Sequence, residues 1–133
     1  MKNQIEFYQF LCRNYPHIFN YENKYATPDT QSGWNSIIIS LSEKINDYVK
    51  GWREEDKPKV MQIKEKFGRL RYYTTTGDNV IFKLIRKAED ESIQTCETCG
   101  NKNDIKDHKR GQRKYGWIKR LCENCGEEWE KLH

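Results

Sequence analysis

Two cysteine pairs of identical spacing, Cys96-x-x-Cys99 and Cys122-x-x-Cys125, constrain this chain more than any other feature, because they dictate where four thiols must meet. A tetrahedral zinc ion takes four thiolates at about 2.3 Å, and a C-x-x-C turn delivers two sulfurs to one side of it with little strain. The two segments read CETCGN and CENCGE, with 22 residues between Cys99 and Cys122. A repeated pair within one short segment points to a metal and not to a redox dithiol. Four protein ligands leave no coordination position open, so the expected cofactor is one structural Zn2+ that holds the fold and does not activate water. Gly100 and Gly126, one after each pair, are expected to let the knuckle backbone turn its amides toward the sulfurs. The fifth cysteine, Cys12, stands among apolar neighbours in FYQFLCRNYP and is expected to be a buried, inert thiol.

The metal matters because the rest of the composition predicts a thin core. The 133 residues suit one domain, or one small domain with a smaller appendage, and only 35% are hydrophobic against 33% charged. Aromatic residues, 13% of the chain, compensate in part because each ring buries a large area. No apolar run approaches the roughly 18 residues of a membrane span, and MKNQIEFYQF lacks the apolar stretch of a signal peptide. The expected location is therefore the cytoplasm, where thiols stay reduced, with no membrane partner. A net charge of +4 supports an anionic partner only if the charge is clustered.

Hydrophobic periodicity predicts an α+β chain: a helix/β-hairpin body over residues 1–94 and a four-cysteine zinc ribbon over 95–133, docked on the body because no linker-like stretch separates them. Helices are expected at about 3–13, ended by the Tyr15-Pro16 step, at 33–51, with Ser32 as cap and Gly51 and Pro58 bracketing its end, and at 79–94. Between them VMQIKEKFGRLRYYTTT alternates and is rich in aromatic and β-branched residues, which predicts a hairpin over 60–76 turning at Phe67-Gly68.

The register of that hairpin carries a functional expectation. With Glu65 opposite Leu70, Ile63 faces Tyr72 and Met61 faces Thr74, one apolar face that can cover the long helix. The other face then carries Lys66 opposite Arg69 and Lys64 opposite Arg71, with Gln62 and Tyr73 next along. Like charges directly opposite are unfavourable, so these cations need either acidic neighbours, for which Glu54, Glu55 and Asp56 are at hand, or an anionic partner. The segment between the cysteine pairs repeats the theme: Lys102, Lys106, Lys109, Arg110, Arg113, Lys114, Lys119 and Arg120 stand against Asp104 and Asp107, with Tyr115 and Trp117 interleaved. Basic side chains neutralise phosphates and exposed rings stack on bases, as nucleic-acid binding requires. Part of the excess offsets the formal charge of a four-thiolate zinc, and Trp117 with Tyr115 equally suits the core of a small ribbon. The tail EEWEKLH reverses the sign.

Asp107-His108 between cysteine pairs loosely resembles the HNH endonucleases, a resemblance that would make His108 a water-activating base. No proline follows His108, no asparagine lies between His108 and Cys122, and no His or Asn follows Cys125 in the usual place, so the base has no partners. A second resemblance covers roughly residues 34–125. IKEKFGRLRYY (Ile63 to Tyr73), CETCG (Cys96 to Gly100) and Gly116-Trp117 followed by Cys122 and Cys125 resemble a group of small bacteriophage and prophage proteins without assigned function. It implies a phage origin, hence accessory work in the host cytoplasm on nucleic acid, transcription or defence; the basic stretch from Lys102 to Lys114 departs from the group.

The resulting expectation is a zinc-ribbon protein that acts by binding, with no catalytic activity and no small-molecule substrate. Its leading partner is nucleic acid, DNA or RNA, contacted by Lys64, Lys66, Arg69, Arg71 and Tyr73 of the hairpin and by Lys109, Arg110, Arg113, Lys114 and Trp117 of the ribbon. The alternatives are a protein-binding inhibitor of a host machine and a degenerate HNH-like nuclease.

Overall fold

A computed structural model describes residues 3–110 and 117–131. Helix α1 (Gln4–Asn14) starts where the Asn3 side chain accepts from the Glu6 amide and stops at Tyr15, before Pro16. Its buried face, Phe7, Tyr8, Leu11 and Cys12, joins that of α2 (Asn35–Val49), where Ile37, Ile38, Leu41, Ile45 and Val49 recur at helical spacing. Ser32 does not cap α2: it opens a 3-10 turn, Ser32–Trp34, that carries the buried Trp34 indole beneath the helix start. Helix α3 (Asn79–Ser92) is capped by Asp78, whose carboxylate accepts from the Ile81 amide at 2.9 Å.

Strands β1 (Val60–Lys66) and β2 (Arg69–Thr74) pair antiparallel in the predicted register from Gln62 onward. Ile63, Leu70 and Tyr72 are buried, and the Tyr72 hydroxyl meets Ser42 of α2 at 2.9 Å, so this face does cover the long helix. The register differs at the open end. A bulge between Val60 and Gln62 pairs Val60, not Met61, with Thr74 and leaves Met61 exposed. Side chains three apart in a regular strand point to opposite faces; the extra residue lets both Val60 and Ile63 enter the core.

The C-terminal unit is built from the Cys96–Cys99 knuckle, strands β3 (Lys106–Arg110) and β4 (Trp117–Leu121), and a further helix, α4 (Glu123–Lys131), which was not expected. Its core is small: Cys96, Leu121, Cys122 and Trp129, with Ile105 and Cys125 at the margin. Hydrogen bonds tie it to the body through the turn before α2: Gly33 N donates to Glu97 O at 2.7 Å, and Trp34 Nε1 to Thr95 O at 3.0 Å.

Gly33 makes this docking possible. A Cβ there would lie 2.3 Å from Cys96 O and 2.4 Å from Glu97 O, backbone atoms that cannot rotate away. Gly33→Ala should therefore destabilise by about 1–3 kcal/mol or more through forced separation of body and knuckle. Gly51→Ala, with nothing within 4 Å of the added carbon, should be close to neutral. Thermal unfolding of the two variants checks the contrast; equal melting temperatures would contradict it.

Candidate functional site

The four thiols meet as their spacing requires. One sulfur from each of Cys96, Cys99, Cys122 and Cys125 lies within 4.8 Å of the other three, an arrangement suited to a single metal ion. The Cys99–Cys122 separation is 3.8 Å. A tetrahedron with metal–sulfur bonds of about 2.3 Å has edges of about 3.8 Å, so this distance matches a shared ion. The first pair sits in a tight turn, with Gly100 N donating to Cys96 O at 2.9 Å and Gly100 at a φ of 81°, the freedom expected of it.

The second pair is set differently. Cys122 immediately precedes α4 and Cys125 lies in its first turn, its amide directed at Cys122 Sγ at 3.5 Å. Amides at a helix N-terminus favour negative charge on sulfur. Burial, and after it the neighbouring thiols, push the Cys125 thiol well above its ordinary value. Four thiolates this close need a cation among them to ionise together.

Gly126 belongs to this helix, and its role is space and not backbone freedom. The His108 ring lies against its Cα, so that a Cβ would fall 2.0–2.2 Å from three ring atoms. His108, 4% exposed, is also held through Nδ1 by the Glu130 carboxylate at 2.7 Å. It packs β3 against α4.

Next to the metal ligands sits an ion pair that the sequence did not suggest. Glu97, between Cys96 and Cys99, has a side chain only 1% exposed, and its carboxylate accepts from Lys119 Nζ at 2.9 Å and from the Gln31 amide at 3.1 Å. Burial pushes the Glu97 carboxyl up from its ordinary value, and Lys119 pulls against it. Lys119 is thus withdrawn from the pool of surface cations. Arg120 is withdrawn too, donating to the carbonyls of Ile93 and Ile105 and pairing with Asp107.

The ten candidate contacts for nucleic acid are sorted by the fold. Arg69 pairs with Asp90, and Arg71 with Glu89 at 3.5 Å, both acids on α3. The expected neutralisers lie elsewhere: Glu54 binds Lys57 and Lys59, while Glu55 and Asp56 bind Arg53. Arg110 stacks on Trp129, its guanidinium 4.4 Å from the ring centre, and donates to the Trp129 carbonyl at 2.7 Å. Arg113 and Lys114 lie outside the described residues, as does Tyr115. Lys64, Lys66 and Lys109 make no ion pair among the described residues.

Tyr73 is exposed, and Trp117 is 52% exposed, touching Trp129 edge-on and donating through Nε1 to Glu65 at 3.2 Å. Trp129, not Trp117, fills the unit's core. Its signal was present: Cys122, Cys125, Gly126 and Trp129 follow the i, i+3, i+4, i+7 pattern of one helix face.

A cleft of about 400 Å³ opens between the units, walled by Trp117 and Trp129, with Lys119 and Glu97 facing Glu65 and Asp29. No helix among the described residues is long and apolar enough to cross a membrane. Comparison with family models, curated proteins and solved structures returned no match, so any function must be argued from these residues.

Proposed function

We propose that this chain is a non-catalytic accessory protein, stabilised by one zinc ion, that binds nucleic acid at the junction of its hairpin and its metal unit. The observation that carries this is the seam between them. Gly68, at the β1–β2 turn, rests against Arg120 and the Lys119 carbonyl carbon. In the β3–β4 register Lys109 faces Ile118 and Asp107 faces Arg120, so Lys109 shares the face from which Arg120 meets the body. Of the cations left unpaired among the described residues, Lys66 flanks this turn and Lys109 lies on the β3–β4 face that Arg120 turns to the body, while the half-exposed Trp117 reaches the hairpin from the opposite face through Glu65. Phosphates held there would satisfy charges that no described acid satisfies.

Absence of catalysis is supported by His108: a base must reach water, and this one lies under α4. The phage origin, and with it work on host nucleic acid, rests on the resemblance of the KEKFG and cysteine segments.

Binding through lysines releases counterions, so affinity should fall log-linearly with salt. Replacing Lys66 and Lys109 by alanine should flatten that slope by about 1–2 units with little change in stability. Arg71→Ala should do the reverse, lowering stability while leaving the slope nearly unchanged, because Arg71 answers Glu89. Fluorescence anisotropy with labelled oligonucleotides over a salt series measures both. If no strand binds even at low salt, nucleic acid is excluded and a protein partner becomes the leading reading.

A further inference from the structure

The turn of the β1–β2 hairpin has both central residues in the left-handed region, Phe67 at φ 54° and Gly68 at φ 82°. A two-residue turn of this kind favours Asn-Gly or Asp-Gly, because a bulky side chain at positive φ collides with its own backbone. Phenylalanine is therefore a poor choice for the turn. Nor does packing account for it: the ring is 72% exposed, with the Lys66 ammonium 6.0 Å from its centre. Strained backbone that displays an exposed ring is the signature of a side chain kept for what it touches outside the fold.

From these facts, and resting on the nucleic-acid reading above, we infer that Phe67 is a base-stacking residue and that the strand it meets is single. The surroundings select this class of partner. The centre of a protein–protein interface is depleted of lysine. Phe67 instead stands beside the Lys66 ammonium, in a turn whose Gly68 rests against Arg120. An aromatic ring beside a lysine stacks on a base while the ammonium holds the neighbouring phosphate. The Trp117 indole, hydrogen-bonded to Glu65 two residues from Phe67, offers a second platform at the same seam. Along a strand, unpaired bases present the faces that such rings need.

The test uses the opposed demands of turn and ligand. Phe67→Asn supplies the residue the turn favours, so it should raise the melting temperature by about 3 °C or more. The same change should weaken binding of labelled oligothymidine by roughly 5- to 100-fold. Phe67→Trp keeps a ring and should retain affinity to within about twofold. Stronger binding of the wild-type chain to duplex than to oligothymidine overturns the inference, as does a lower melting temperature in Phe67→Asn, which would make the ring structural. Salt-dependent binding unaltered in Phe67→Asn overturns it while leaving the nucleic-acid reading intact. Failure of the wild-type chain to bind any strand overturns both.

Discussion

Cys96→Ser should abolish the bound metal and unfold the C-terminal unit, with the loss spreading into the body. Among the described residues, the unit's core is little more than Leu121, Trp129 and the cysteines themselves, with Ile105 at its margin. Structural zinc contributes apparent free energies of about 10–16 kcal/mol in isolated fingers, comparable to the roughly 5–15 kcal/mol that stabilises a whole domain. The body is exposed to the loss because Gln31, Gly33 and Trp34 all donate hydrogen bonds to Thr95 or Glu97 beside the first ligand. Elemental analysis should return one zinc per chain for the wild type and none for the variant, and thermal unfolding should shift sharply downward. Cys12→Ala, a buried thiol remote from the cluster, should keep its zinc. Full zinc content and an unchanged melting temperature in Cys96→Ser would refute the assignment.

Glu97→Ala should cost about 3–5 kcal/mol, the range for removing one partner of a buried ion pair. The Lys119 ammonium, with a side chain 7% exposed, would be left without a counterion, and the Gln31 amide without its acceptor. The pair itself need not be worth that much. Replacing both residues, as Glu97→Leu with Lys119→Met, removes the stranded charge and should recover most of the loss. Chemical denaturation of the single and double variants tests this. A single-variant loss below about 1 kcal/mol would show that water reaches Lys119 and that the pair behaves as a surface one.

Much of the architecture was legible because local rules encode it. The C-x-x-C spacing determines which sulfurs share an ion, since a two-residue gap sets the bite of each pair wherever the pairs lie. Period-2 alternation around Phe67-Gly68 determined the hairpin register, because a slip of one residue would turn Ile63, Leu70 and Tyr72 away from the core. Apolar recurrence at steps of three and four determined α1, α2 and α3. What only the tertiary structure decided was which charges remain free and which small residues must be small. Arg69 and Arg71 meet acids about twenty positions away on α3, and Lys119 meets Glu97 across the metal unit; no local pattern links such partners, so their cations looked alike in the sequence. Gly33 and Gly126 stand where another element crosses without room for a Cβ, and the bulge at Met61 arises because Val60 and Ile63 must enter one core from a strand whose regular period would part them. Phe67 is the sharpest case: its place in a turn was written in the chain, but only the assembled fold shows that it stays exposed among the described residues, because exposure is a property of every other element's position.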